Sequence, residues 1–325
     1  MISTAIVGLG RWGRNLVEAS LGHERIAIVR AVEPDIGNAR NFCAKHHLEL
    51  GDDLDAVLAD RGIDAVLLAT PHSLHPAQVT ACVAARKQVF CEKPLALHRA
   101  DAARMFAACR DAGVILAVGH NRRFWPSMRA LRDIVASDEL GTLLHIEGHN
   151  SNENSQSITA GWRLSEAESP GGGLTGAGLH VLDTFVSMLG PVRQISAQLH
   201  SREPGPPPLD TAMLMMDFVN GITGTLSTIR ATPFYWRVHV FGTKGSAEVL
   251  DETTLIRRVS NSKPMRHTLP AIDVLRAELD AFTDAIEDKR AFPVPEADVL
   301  ATLAAFEAAL RSMQSGHPVE CDDRA

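Results

Sequence analysis

Ala5-Ile6-Val7-Gly8-Leu9-Gly10-Arg11-Trp12-Gly13 decides how the rest of the chain is read: an apolar run breaks into Gly-x-Gly-x-x-Gly, and a helical pattern, Arg11–Ser20, starts inside the motif. An apolar run of this kind predicts a strand buried on both faces. In a strand–turn–helix setting each glycine has its own task. Gly8 allows the tight turn, Gly10 lets a pyrophosphate approach the backbone, and Gly13 lets helix and strand pack closely. Leu9, Arg11 and Trp12 complete the same cradle, and the helix N-terminus turns amide donors and a positive dipole toward phosphate. Glu33 follows the next apolar run, Ile26–Val32, twenty residues after Gly13. An acidic side chain there accepts hydrogen bonds from an adenosine ribose and repels a 2′-phosphate, so NAD is expected to be preferred over NADP. Arg40 nearby keeps NADP open, and a solvated loop acid is the plain alternative for Glu33.

Outward from this stretch the same rhythm continues. Apolar runs at Ala65–Ala69, Val89–Cys91 and Val114–Val118 alternate with helical patterns at Gly37–Lys45, His75–Ala85 and Ala100–Ala112. This alternation predicts an α/β domain over residues 1–122, a doubly wound parallel sheet of Rossmann type. After residue 123 the rhythm changes: Leu143–His149, Val192–His200, Ala212–Val219, Ile222–Ile229 and Trp236–Phe241 read as strands, several in direct succession. The expectation is a second, α+β domain over 123–325 with an open, mainly antiparallel sheet. Asn220-Gly221 predicts a type I′ hairpin turn, which needs positive φ at both central residues. Met213, Leu214, Met215 and Met216 give that hairpin apolar side chains on both faces, so a homodimer or homotetramer through this sheet is expected. Residues His149–Gly161 and Glu203–Pro208 read as loops. A last helix, Val299–Ser315, is free to pack back on the first domain.

Composition narrows the function classes. There are 32 basic and 39 acidic residues, a net charge of −7, no basic block, and only eleven Phe, four Trp and one Tyr, which argues against a nucleic-acid partner. No stretch approaches the roughly 20 apolar residues of a membrane span, and the N-terminus lacks a secretion signal. Five cysteines, an odd number without CxxC pairing, read as reduced thiols of a cytoplasmic protein and not as a disulfide frame or metal site.

Two more stretches carry reactive groups. Glu92-Lys93-Pro94 follows the Val89–Cys91 run, and a lysine at the carboxyl end of a central parallel strand points into the crevice where such sheets bind ligands. A surface ion pair of Glu92 and Lys93 is the plainer alternative. The run Gly171-Gly172-Gly173-Leu174-Thr175-Gly176-Ala177-Gly178 leads into a helix on which His180 and Asp183 share a face. Histidine exchanges protons near neutral pH, although a lone helical histidine is more often a hydrogen-bonded core or surface residue.

Taken in order, these motifs resemble one family. Gly8–Gly13, Thr70-Pro71 with His75, Cys91-Glu92-Lys93-Pro94, His120–Phe124 (HNRRF), Trp162-Arg163, His180 with Asp183, and Ser315-Gly316 are similar to the glucose–fructose oxidoreductase / inositol dehydrogenase (Gfo/Idh/MocA) family, from Gly8 to Val319. The resemblance implies an NAD(P)-dependent oxidoreductase that moves a hydride between nicotinamide and a hydroxyl or carbonyl carbon of a small sugar, polyol or hydroxy acid. It implies that Lys93 contacts nicotinamide and substrate and that His180 exchanges the proton. Glu92 then shapes the nicotinamide-ribose region, Thr70, Pro71 and His75 form the cofactor rim, and Arg163 lies near the cofactor or the domain junction. His120, Arg122 and Asp183 join Lys93 and His180 on the substrate side. Arg122, Arg123, Arg163, Arg230 and Arg237 are able to receive a substrate carboxylate, and surface salt bridges explain most of them equally well. Two departures stand out. Relatives usually carry Asp or Asn where this chain has Gly176, and often Tyr where it has His120. Two alternatives accompany the leading expectation: a non-redox conversion of a sugar-like substrate through transient oxidation, and a catalytically silent dinucleotide sensor. Gly176 favours the sensor; retained Lys93 and His180 oppose it.

Overall fold

Ala5, Ile6, Ala65, Val66, Leu67, Leu68, Val89, Phe90 and Cys91 are all fully buried, so neighbouring residues that point to opposite sides are covered alike. That is the condition of a parallel sheet with helices on both faces. In the computed structural model, which describes residues 1–152, 161–202 and 209–321, these runs are strands of one parallel sheet. Its strands are β1 (Ile2–Val7), β2 (Ile26–Val32), β3 (Glu49–Gly51), β4 (Ala65–Leu68), β5 (Gln88–Glu92) and β6 (Leu116–Gly119). They lie in the order β3-β2-β1-β4-β5-β6. The connecting helices are α1 (Arg11–Ser20), α2 (Ile36–Lys45), α3 (Leu54–Ala59), α4 (His75–Ala84) and α5 (Arg99–Ala112). The chain reverses direction across the sheet between β1 and β4, and ligands of such sheets bind at the carboxyl ends beside that reversal. The sequence reading omitted β3 and α3, a three-residue edge strand and a six-residue helix too short for a periodic signal.

The second unit is built on a nine-stranded sheet. Its strands are β7 (Leu143–Asn152), β8 (Val192–Ser201), β9 (Asp210–Phe218), β10 (Thr223–Arg230), β11 (Tyr235–Gly242), β12 (Gly245–Val249), β13 (Thr254–Val259), β14 (Met265–Thr268) and β15 (Val319–Glu320). The order is β14-β13-β12-β11-β7-β10-β9-β8-β15, and only β7–β10 is parallel. The helices α6 (Pro126–Ala136) and α7 (Leu179–Leu189) belong to the same unit. Along β9 the pleat sorts the residues: Ala212, Leu214 and Met216 are buried, while Met213 and Met215 remain 46% and 63% exposed.

Three expectations are corrected. The β9–β10 turn is not type I′. Gly221 has φ +85°, but Asn220 is not among the positive-φ residues. Gly221 donates to the Phe218 carbonyl and Phe218 to that of Ile222, so the loop is a type I turn followed by a left-handed glycine. Asn220 contributes through its side chain, accepting from the Ile222 amide and donating to the Leu189 carbonyl. Next, the stretch expected as loop from His149 is strand as far as Asn152; residues 153–160, and the loop expected at Glu203–Pro208, lie outside the described residues. Finally, the domain cut at 122/123 is incomplete. The chain divides into Met1–Asn121 with Asp273–Pro295, and Arg122–Ile272 with Glu296–Ala325. The helix that returns to the first unit is α8 (Val274–Glu287), and the final helix α9 (Glu296–Ser315) stays with the second. Phe282 of α8 is fully buried with its ring 5.9 Å from Phe90, and Arg25 pairs with Asp284 at 2.6 Å.

Cys43, Cys82, Cys91 and Cys109 are buried and Cys321 is half-buried. Burial pushes the Cys82 thiol up to about 12 and that of Cys109 to about 11, which removes the thiolate needed for reaction. Under native conditions, mass mapping after brief alkylation is expected to find label at Cys321 alone; label at Cys82 or Cys109 would contradict this packing. Among the described residues no helix is long and apolar enough to cross a membrane, and no cluster of His, Cys, Asp or Glu has the arrangement of a metal site.

Candidate functional site

In the first unit, Gly8–Gly13, Glu33, Thr70, Pro71, His75, Glu92, Lys93 and His120 come from different stretches of sequence. The sheet gathers all of them at the carboxyl ends of β1, β2, β4, β5 and β6. Gly8 has φ +90°, and a Cβ there would lie 2.7 Å from the Ala69 carbonyl oxygen of the neighbouring strand's exit. A Cβ on Gly13 would overlap the Gly8 carbonyl, whereas one on Gly10 would meet no atom within 4 Å. Two of the glycines are therefore fixed by packing, and the middle one leaves a clear approach to the backbone. Gly10 caps α1 without a side-chain hydrogen bond, and no acidic residue occupies the first turn. Its amides are disposed for an anion.

Glu33 stands at the end of β2 with both oxygens in use: Oε2 accepts the Leu9 amide at 2.7 Å and Oε1 the Asp35 amide at 3.2 Å. The carboxylate thus also pins the glycine loop. Arg14 runs along the same edge, donating to the carbonyls of Leu9 (3.0 Å) and Asn38 (3.1 Å) with its guanidinium 5.1 Å over the Phe42 ring. Clear space at Gly10, an uncapped helix start and an acid after β2 fit a dinucleotide, whose pyrophosphate Gly8–Gly13 would hold and whose adenosine ribose Glu33 would meet. Glu33→Ala is expected to weaken NAD binding by about tenfold or more, the worth of hydrogen bonds to a charged group, and to narrow the gap to NADP. Calorimetric titration of both nucleotides checks this; a parent that prefers NADP would contradict it.

At β5, Glu92 is buried, and its Oε2 accepts the Lys93 amide at 3.3 Å. A Cβ on Gly119 would come within 3.0 Å of Glu92 Oε1, so the absence of a side chain on β6 makes room for this carboxylate. Lys93 is half-buried directly after the strand. His75 is fully buried, with Nδ1 3.0 Å from the Pro94 carbonyl and Nε2 3.2 Å from that of Thr70. It ties the exits of β4 and β5 together, and the Thr70 hydroxyl is turned to Gln78 at 2.6 Å. His120 is 2% exposed at the end of β6, its amide bonded to the Val118 carbonyl.

The second unit holds the other candidates. His180 lies in the first turn of α7, and the Leu174–Gly178 turn ahead of it is π-helical, closed by the Leu179 amide on the Leu174 carbonyl. Insertions of this type are frequent at functional sites. Side chains fix both ends of the turn. Asp210 accepts the Gly173 amide at 3.1 Å and pairs with Arg230 at 3.2 Å, and its carboxylate fills the space that a Cβ on Gly172 would need. Burial pushes the Asp210 carboxyl up and Arg230 opposes it. Asn150 of β7 donates from Nδ2 to the Ala177 carbonyl at 2.9 Å. Gly176 is exposed, and a Cβ on it would meet nothing within 4 Å.

Asp183 does not present its carboxylate to solvent. It is 0% exposed, and both oxygens receive the Arg123 guanidinium, at 2.9 and 2.6 Å. Arg123 also reaches Asp298 of α9 at 2.6 Å. Burial acts against the Arg123 charge, but the two carboxylates more than offset it and hold the group above its ordinary value. The pair locks α7 in place. Arg230 and Arg237 are likewise committed, Arg237 to Glu147 and Glu248, each at 2.8 Å. Arg122 stacks over Trp125 at 4.1 Å and Arg163 over Trp162 at 4.3 Å. Sequence reasoning missed Asn150 and Asp210; no local pattern marks them, because each acts on a segment distant in the chain.

Comparison with known proteins identifies the family. Residues 2–120 match the GFO_IDH_MocA family model, described as an oxidoreductase family with an NAD-binding Rossmann fold, and residues 128–248 match the GFO/IDH/MocA C-terminal domain. The chain is 32% identical to the myo-inositol 2-dehydrogenase of Thermotoga maritima over 263 residues, covering 77% of this chain and 76% of that one. It is 28% identical to the 2,7-anhydro-N-acetylneuraminate hydratase of Escherichia coli over 257 residues, 77% of this chain and 68% of that one. In fold it is similar to levoglucosan dehydrogenase solved with NADH and levoglucosan, with a TM-score of 0.89 at 20% identity over 99% of this chain and 100% of that one.

Proposed function

The chain belongs to the Gfo/Idh/MocA family of NAD(P)-dependent oxidoreductases, and on that premise we propose that it transfers a hydride between nicotinamide and a hydroxyl or carbonyl carbon of a small polyhydroxylated substrate. The observation that supports this best is the convergence at one sheet edge of an open glycine cradle, Glu33 and Lys93. When bound, the nicotinamide supplies the hydride donor or acceptor. Lys93 orients the reacting oxygen and, as an ammonium group, stabilises negative charge that develops on it. Glu92 keeps the lysine's backbone in place. His180 takes or returns the hydroxyl proton. NAD is the preferred cofactor because Glu33 stands where a 2′-phosphate would lie. A turnover assay with sugars, inositols and hydroxy acids in both oxidation states tests the proposal; reduced nicotinamide should form in proportion to substrate oxidised.

The hydratase among the relatives favours a second reading, a conversion of a sugar-like substrate with no net redox change. In that case substrate would disappear while reduced nicotinamide does not accumulate.

We also propose a homo-oligomer assembled through the exposed face of the second unit's sheet. Met213 and Met215 lie on it. Beside them on β7, β11, β12 and β13 is a mixed-charge network of Glu147, Arg237, Glu248 and Arg258, and both signs on one patch suit the self-complementary surface of a two-fold contact. Light scattering at micromolar concentration should give at least a dimer, and Met215→Lys should shift it toward monomer. A monomeric parent would contradict the assignment.

A further inference from the structure

We propose that Asn150 is a positioning residue for His180: its amide fixes the Ala177 carbonyl and so sets the direction in which the π-helical turn hands the chain to α7. The inference rests on the reading of His180 as the proton carrier.

Asn150 sits within β7, paired with Thr228 of β10 and Trp236 of β11, and is 3% exposed. Asparagine is disfavoured inside strands, and this one leaves its Oδ1 buried without a hydrogen-bond partner among the described residues. A buried acceptor without a partner costs stability. Valine or threonine at this place would suit the strand better, so local preference does not account for the asparagine. The compensating contact is the bond from Nδ2 to Ala177, three residues before His180. The acceptor is a carbonyl, so the nitrogen must face it and the amide orientation is settled.

Why the amide reaches that far follows from the glycine two residues earlier. A Cβ on Gly148 would overlap the Val181 side chain and approach Phe185 to 2.6 Å, so its absence lets α7 settle directly on β7. That close approach brings the end of the turn within reach of Asn150. The other end is held from β9 by Asp210 through the Gly173 amide. Between the anchors lies a π-helical turn whose hydrogen-bond register differs from that of the helix it leads into. Loss of the Asn150 anchor lets the turn relax toward α-helical register, which rotates the first turn of α7 and the imidazole with it.

The test uses the full-length chain with Asn150→Val and, as a smaller replacement, Asn150→Ala. Displacing a reacting group by about 1 Å costs on the order of 10²-fold in rate, so kcat should fall by about 10- to 100-fold. Kd for NAD should stay within about twofold, because neither variant touches the Gly8–Gly13 cradle. His180 ring resonances, assigned by comparison with His180→Ala, should shift in both variants. Measuring them needs no substrate. A kcat within threefold of the parent, with unshifted His180 resonances and only a change in melting temperature, would overturn the proposal and leave Asn150 a structural residue. His180→Ala assayed in parallel separates the two ideas: an unchanged rate there refutes the proton role itself, whereas a rate lost in His180→Ala but kept in Asn150→Val refutes Asn150 alone.

Discussion

Lys93→Ala is expected to reduce turnover by at least about 10³-fold while NAD affinity remains within a few-fold of the parent. Removing one preorganised donor to a developing oxyanion typically costs about 10²–10³-fold, and the same ammonium also orients the oxygen for proton transfer. The cofactor contacts assigned to Gly8–Gly13 and Glu33 lie in the β1–α1 turn, at the start of α1 and directly after β2, so the substitution after β5 leaves them intact. Lys93→Arg should not restore the rate, since a planar guanidinium does not replace a compact point charge. Steady-state kinetics beside calorimetric NAD titration checks both halves. A Lys93→Ala rate within tenfold of the parent would remove the lysine from the reaction.

His180→Ala should lower kcat by about 10²–10⁴-fold, the usual worth of general acid–base help. A smaller loss would turn attention to His120, the other buried histidine assigned to the substrate side. Gly176→Asp is the complementary experiment. The position is exposed, its φ is not in the left-handed region, and a Cβ there meets no atom within 4 Å. The aspartate therefore fits without strain. A carboxylate four residues ahead of His180 favours the protonated imidazole, so the limb of the pH–rate profile that reports this histidine should move to higher pH, and activity on polyols should rise. An unchanged profile would mean that the missing acid is not what distinguishes this site.

The parts of the molecule governed by local chemistry were legible in the chain. α1 begins and ends at the residues expected, Arg11 and Ser20, because Gly10 and the apolar spacing define it locally. The parallel strands of the first unit stand out as unbroken apolar runs because both faces are covered. Strands β12–β14 escaped notice because none is an unbroken apolar run: β12 is Gly-Ser-Ala-Glu-Val, short and polar in composition although mostly buried, β13 is Thr-Leu-Ile-Arg-Arg-Val and half-covered, and β14 is Met-Arg-His-Thr and exposed. Their pairing, not their composition, makes them strands. The return of α8 to the first unit depends on Phe282 meeting Phe90 and on Arg25 meeting Asp284, contacts across most of the chain length. Asp183 shows the same limit at the site. The family resemblance set it on the substrate side with His180, and no local pattern announces that Arg123, sixty residues earlier, bonds both its oxygens.

The central claim is net hydride transfer to or from a small polyhydroxylated substrate. Its most direct test is the absorbance of reduced nicotinamide during turnover of a panel of inositols, sugars and hydroxy acids with NAD, with the organic product quantified in the same sample. The expected result is one reduced nicotinamide for each substrate molecule oxidised, with NAD used in preference to NADP. Conversion of substrate without accumulation of reduced nicotinamide, or tight NAD binding with no conversion across the panel, would contradict it.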